Sequence, residues 1–235
     1  MHYLRSLQLV VLALFLNACA SAPGQQCPAG TRNLPDCPPA EAVDDEKINA
    51  IYELRTWLPP SKLTLDPVEY GKEAEIPVNS AEARIIGPEH AEALDSLALK
   101  IWLIENAQHT VDVTYYIFKN DLVGYALLGA LCNAVKRGVD VRIMVDSLGS
   151  MRPGHSDLRA VETCAVDAGF MRNADGQLTT KKARVQVVIF NAISKLQFNR
   201  RSHDKLLVVD GFFPDRAAVI TGGRNISLDY YGINA

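Results

Sequence analysis

Between Arg201 and Asp210 the chain reads Arg-Ser-His-Asp-Lys-Leu-Leu-Val-Val-Asp, which sets an imidazole at 203, an ammonium at 205 and a carboxylate at 210. The β-branched and aliphatic run predicts a strand over 205–209. On an extended chain residues i and i+2 share a face, so His203 and Lys205 are expected to project together while Leu206 and Val208 pack behind. Asp210 closes the strand just before Gly211, where a turn can re-aim it. A second predicted strand, 217–221, delivers Gly222-Gly223-Arg224-Asn225. Paired glycines let backbone amides approach a ligand, and Asn225 adds a polar donor. A nucleophile, a cation and amide donors around one concave spot suit a phosphate ester. The pattern H-x-K-x4-D is weak as a bare string; its strand context and the Gly-Gly-x-Asn that follows give it weight. No Cys/His spacing suggests a metal site, and no cofactor is expected. His2, His90, His109 and His155 are read as bland surface residues.

The elements that must position this set alternate. Helices are predicted over 44–58 (with Pro59-Pro60 as the stop), 88–107, 122–137 and 157–168, from apolar residues at helical spacing. Strands are predicted over 110–118 (TVDVTYYIF), 139–145 (VDVRIMV), 184–190, 205–209 and 217–221. Gly138 is a natural helix stop, and the second strand runs into Asp146-Ser147-Leu148-Gly149. Strand and helix in alternation imply an α/β fold, a mixed β-sheet flanked by helices. Residues 61–80 show no clear period and are read as loop.

The 235 residues carry 24 Lys+Arg against 27 Asp+Glu, a net charge of −3, with 48% apolar residues. That composition excludes disorder, collagen and coiled coil as whole-chain descriptions. It argues against a nucleic-acid binder that works by bulk charge, while leaving a local basic pocket open. The first residues have the layout of an export signal: a single firm charge at Arg5, an apolar run over 9–16, then Asn17-Ala18-Cys19-Ala20. The Cys after a small residue resembles a bacterial lipoprotein box, so 1–18 is expected to be removed and Cys19 lipidated; a plain secretory signal is the alternative. Ala20 after the Cys points to an outer-membrane lipoprotein facing the periplasm. Residues 19–43, rich in Pro, Gly, Ala and Ser, read as a flexible tether. Residues 44–80 form an N-terminal extension and 81–235 the main domain. In an oxidising compartment Cys27, Cys37, Cys132 and Cys164 could form two bridges with three connectivities; Cys27 with Cys37 is plausible, and Cys132 could simply be buried on its helix.

TVDVTYYIFKND, KRGVDVRIMVDSLGS, RRSHDKLLVVDG and ITGGRNI together resemble the phospholipase D superfamily, and most of all its bacterial cardiolipin-synthase branch. The likeness covers about 81 to the C-terminus. It implies one half of the superfamily's α-β-α sandwich. It also implies His203 as nucleophile forming a phosphohistidine, Lys205 on the non-bridging oxygens, Asn225 and the amides near Gly223 holding phosphate, and Asp210 orienting an imidazole or supporting the local hydrogen-bond network. No metal is required. Two departures stand out: the GFFPDRAA stretch separates Asp210 from the glycine pair, and one copy of the motif is present where the chemistry wants a second His. The expectation is therefore an N-terminal half whose second motif lies in a missing C-terminal half, or a chain that pairs as a homodimer. The function expected is phosphatidyl transfer or hydrolysis on a phospholipid at a membrane, with nucleic acid an unlikely partner. The alternatives are a homodimeric periplasmic endonuclease, whose backbone track would be Arg200, Arg201, Lys205, Lys181, Lys182 and Arg184, and a non-catalytic half-domain lipoprotein.

Overall fold

The computed structural model describes residues 36–56, 81–150, 154–192 and 201–233. The expectations on the signal, Cys19, Cys27, most of the tether, the 61–80 loop and Arg200 lie outside the described residues. The chain divides into a unit of residues 1–40 and a unit of residues 41–235, and only the second is described at length.

Helix α1 (Glu46–Leu54) starts where the Asp45 side chain accepts the Ile48 amide, and it buries Ile48 and Ile51. Helix α2 (His90–Asn106) leads into strand β1 (Thr110–Tyr115); α3 (Leu122–Lys136) leads into β2 (Asp140–Asp146). Asp121 caps α3 by accepting the Gly124 amide. Gly138, at φ +98, ends that helix, and a Cβ there would lie 2.2 Å from the Phe170 carbonyl oxygen, so only glycine fits. The expected helix over 157–168 is split: α4 covers Gly154–Ala160 and a 3-10 helix covers Val161–Asp167. A hairpin that the sequence did not signal follows, β3 (Phe170–Arg172) with β4 (Leu178–Lys182). Its strands are three and five residues long with one buried position each, which leaves little of the alternation by which a strand is recognised. Strands β5 (Val185–Phe190), β6 (Lys205–Val209) and β7 (Ala218–Thr221) complete the set.

The main sheet has the order β5-β2-β1-β6-β7. β1, β2 and β5 run parallel, while β6 is antiparallel to both β1 and β7. This is the expected mixed sheet flanked by helices. One face carries Val111, Val113, Tyr115, Val141, Ile143, Val145, Leu207 and Val209, all buried against α2 and α3. Each such side chain contributes about 1.5–3 kcal/mol of burial. The face assignment within β6 is the reverse of the sequence expectation. Leu207 and Val209 enter the core on the same side as Lys205, whereas Leu206 and Val208 are half-buried on the other side. Lys205 thus stands at the rim of the core.

Among the described residues, an ion-pair cluster ties α1 to the sheet at the starts of β1 and β2. Arg55, wholly buried, donates from Nε to Asp140 Oδ2 (2.9 Å) and from Nη1 to Asp112 Oδ2 (2.6 Å). Arg142 completes Asp112, and Arg184 completes Asp140 while stacking 3.3 Å over the Tyr52 ring. A fully desolvated guanidinium is tolerated because its donors meet two carboxylates and the Asp140 carbonyl. Cys132 on α3 is bridged to Cys164 on the 3-10 helix, with Cα atoms 5.5 Å apart. Cys132 is therefore not the free buried thiol it could have been. Cys37 is also disulfide-bonded.

Candidate functional site

Three chain segments converge at one end of the sheet. β1 and β7 end there and β6 begins there, because β6 runs against both neighbours. Tyr115 faces Lys205 across the β1–β6 ladder, and Thr221 faces Leu206 across β6–β7. The Gly222-Gly223 turn therefore opens beside the start of β6. A Cβ added at either glycine would meet nothing within 4 Å, so this side of the turn is open space.

His203 lies two residues before Lys205 on extended chain and is exposed. The Lys205 Nζ donates to His203 Nδ1 at 3.0 Å and to the His203 carbonyl oxygen at 3.0 Å. Lys205 is 8% exposed. Burial lowers its pKa below the ordinary lysine value, and the neighbouring Asp204 carboxylate partly opposes that. The Tyr116 ring leans on the imidazole with centroids 4.4 Å apart. The sequence-derived pair is thus brought together: a solvent-facing imidazole and a buried lysine amine in contact.

Asn225 is buried, and its Oδ1 accepts the Ile117 amide at 3.0 Å. Since Ile117 follows β1 directly, Asn225 clips the end of β1 to the segment after Gly223, and its remaining polarity at the site is the amide –NH₂. Gly223 is exposed in the open turn.

Asp210 does not join them. It lies five residues beyond Lys205, roughly 16 Å along the strand at 3.3 Å per residue. It is 2% exposed, with φ +50. Its carboxylate accepts three successive amides, from Gln108 (3.0 Å), His109 (2.8 Å) and Thr110 (2.9 Å). Of the two expected roles, orienting an imidazole or supporting the local hydrogen-bond network, the geometry fits the second: the carboxylate holds the chain where it enters β1. His109, expected at the surface, is buried in the same corner, stacked 3.7 Å on Phe213 with Nδ1 on the Arg172 carbonyl. Burial lowers the His109 pKa.

Several residues that hold the site were not singled out from sequence. Asp146, fully buried at the end of β2, accepts the Leu148, Gly149 and Ser202 amides, and Arg201 approaches it at 3.6 Å. It fixes the chain just before His203. Ser150 donates to the Tyr116 carbonyl (3.0 Å) and accepts the Phe118 amide (3.0 Å), which fixes the ring that touches His203. The only signal for either was Asp-Ser-Leu-Gly-Ser after a strand, a motif that usually marks just a turn. The expected basic track is dispersed: Arg184 pairs with Asp140 at the other end of the sheet, and Arg201 turns to Asp146. No group of three or more His, Cys, Asp or Glu suited to a metal ion is found among the described residues.

A family model described as "Cardiolipin synthase, PLD-like domain" matches residues 101–234, more than half of the chain. Cardiolipin synthase C of Escherichia coli (strain K12) is 34% identical over 152 residues, covering 60% of this chain and 27% of that protein. Cardiolipin synthase of Oceanobacillus iheyensis is 29% identical over 134 residues, covering 56% of this chain and 23% of that one. The chain thus spans about a quarter of the length of these relatives. Among solved structures, the phospholipase D family member Nuc from Salmonella typhimurium aligns with a TM-score of 0.38 at 21% identity, over 58% of this chain and 68% of Nuc.

Proposed function

The chain belongs to the cardiolipin synthase, PLD-like domain family, and on that premise we propose that it transfers or hydrolyses phosphatidyl groups through a phosphohistidine at His203. The observation that carries this reading is the 3.0 Å contact between an exposed imidazole and the buried Lys205 amine beside an open glycine turn. A phosphodiester that draws the ammonium onto its non-bridging oxygens releases the imidazole for attack on phosphorus. The P–N bond forms as the bond to the headgroup oxygen breaks, and Lys205 offsets the charge that builds on the phosphoryl oxygens. The Asn225 –NH₂ and the amides near Gly223 hold the same group. The departing alkoxide takes a proton from a general acid, and the acceptor alcohol or water then gives its proton to the same group as it breaks the P–N bond. We propose that this acid is a second His203-like imidazole, supplied by a second copy of the motif in a longer chain or by a paired chain.

Export and lipidation at Cys19 would hold the domain at the outer membrane, beside its substrate. Cys19→Ala should move the protein from the membrane to the soluble periplasmic fraction, and retention at the membrane would sink that part. The chemistry is tested by acid-quench-free trapping of phosphorylated protein from labelled phosphatidylglycerol, with cardiolipin and phosphatidic acid as the products followed. Label on the wild type and none on His203→Asn is expected. Label that survives in the variant, or cleavage of DNA but not lipid in chelator, would overturn the reading.

A further inference from the structure

Behind the glycine turn lies a cluster of cations that the proposed chemistry does not use. Lys100, on α2, is 2% exposed; its Nζ donates to Ser96 Oγ at 2.7 Å and sits 5.5 Å from the centre of the Tyr231 ring. Arg224, between Gly223 and Asn225, sends a guanidinium nitrogen to the Gly87 carbonyl. Among the described residues, no carboxylate forms an ion pair with either cation. The Tyr231 side chain is wholly buried, and among the described residues its hydroxyl has no hydrogen-bond partner. Asp121, whose charge reaches Tyr231, spends its two oxygens on the Gly124 and Leu228 amides.

An ammonium out of water near a guanidinium and an unpartnered hydroxyl, with no ion-paired carboxylate among the described residues, is an unfavourable arrangement that an anion would relieve. Its place is equally informative. Asn225 turns toward Ile117 at the end of β1, and Arg224, one residue earlier, turns the other way, toward Gly87 and α2. The open turn thus carries amides and a carboxamide on the His203 side and a guanidinium on the other. A hydrolase needs one anion pocket. A transferase whose acceptor is itself a phosphodiester needs two.

We propose that Arg224, backed by Lys100 and the Tyr231 hydroxyl, is a second phosphate subsite that takes the phosphodiester of the acceptor lipid. The acceptor assignment rests on the phosphatidyl-transfer reading; the anion subsite itself does not. Burial, with the Arg224 charge adding to it, lowers the Lys100 pKa to about 8. The groups that face Lys100 are Ser96, Arg224 and Tyr231, and burial raises the Tyr231 pKa out of the range where it could compete. Affinity for an anion should therefore hold below pH 8 and fall as pH rises above it.

The test uses the full chain carrying His203→Asn and Lys205→Met, which removes the first site, titrated calorimetrically with dihexanoylphosphatidylglycerol, inorganic phosphate and dihexanoylglycerol. The expected result is saturable binding of the phosphatidylglycerol, at least about tenfold tighter than inorganic phosphate, with none of the uncharged diglyceride. Adding Arg224→Gln should weaken it at least about tenfold, the loss of one charge-assisted hydrogen-bonded contact. Adding Lys100→Met should flatten the fall above pH 8; Arg224→Gln carries the test if that variant does not fold. No saturable binding to the disabled chain, or binding indifferent to Arg224, overturns the subsite even if phosphohistidine forms on the wild type. Equal affinity for inorganic phosphate overturns the lipid assignment. Arg224-dependent binding in a chain that never forms phosphohistidine sinks the transfer reading instead.

Discussion

β6 begins at Lys205 and ends at Val209, and its two ends have opposite characters. At the start, His203 is exposed and the Lys205 amine, beside an open turn, meets the imidazole and a carbonyl, with the Tyr116 ring 5.7 Å away. At the finish, Asp210 is buried and its carboxylate takes three backbone amides at 2.8–3.0 Å. One end turns its imidazole to solvent; the other spends its carboxylate mainly on backbone amides, with Arg216 Nε 3.7 Å away. The difference teaches how to divide a chemical motif: residues whose donors or lone pairs lie beside the open turn are available to a substrate, and residues whose capacity goes mainly to backbone are framework. By that rule the His and the Lys of H-x-K-x4-D belong to the chemistry and the Asp to the fold.

The largest expected effect is at the exposed end. His203→Asn should lower turnover by at least about 10⁴-fold, since the nucleophile is lost and residual rate comes from binding alone. Its melting temperature should stay within about 1 °C of the wild type, because an exposed side chain carries little of the core. A large fall in melting temperature would break the division between the two ends. Lys205→Met comes next, with turnover down about 10²–10³-fold, the scale of losing a preorganised charge at a developing oxyanion. Stability should hold or rise slightly, because a thioether at the rim of the core has no ammonium to desolvate. Thermal melts alongside lipid turnover check both. A Lys205→Met protein that is destabilised by several degrees would mean the ammonium is part of the framework.

Asp210→Ala should show the reverse pattern. Two buried amides and one partly exposed amide lose their acceptor, at about 1–3 kcal/mol for each buried one and less than additively, so a total of about 2–5 kcal/mol is expected from urea titration. Turnover per folded molecule should change less than about threefold. If instead Asp210→Ala leaves stability intact and abolishes turnover, the carboxylate reaches the reacting groups and the comparison fails.

The sequence made the fold legible where periodicity was strong. The apolar strands β1 and β2 and the helices α2 and α3 lie within a few residues of their expected bounds, because each buries a continuous face. The β3–β4 hairpin was illegible: Met171 and Thr179 are each the single buried residue of a short strand, which gives no period. The His203–Lys205 juxtaposition was readable from i, i+2 spacing alone. The role of Asp210 was not, since a strand's length separates it from the pair and its partners are backbone amides, which have no sequence signature. Nor could spacing show which face of β6 enters the core, because Leu206, Leu207, Val208 and Val209 are all apolar and alternation is lost. The Asp146 and Ser150 contacts are tertiary and equally silent.

Ser150 offers the smallest effect and the finest test, because it sits at the chemical end yet behaves as framework. It is 3% exposed, donates to the Tyr116 carbonyl and accepts the Phe118 amide. Ser150→Ala leaves both backbone groups unpartnered, which should lower stability by about 1–2 kcal/mol. In a domain of this size that is a fall of roughly 2–6 °C. The same loss frees the segment carrying the Tyr116 ring, whose centroid lies 4.4 Å from that of His203. Turnover should then drop about three- to tenfold through a less well-held imidazole, with the substrate KM nearly unchanged. A variant that loses stability with full turnover would show that Tyr116 does not position His203. One that loses turnover by a hundredfold with no change in melting temperature would put Ser150 among the reacting groups. Either outcome would replace a division by strand end with a finer one, in which each side chain is sorted by whether its hydrogen-bonding capacity is already committed.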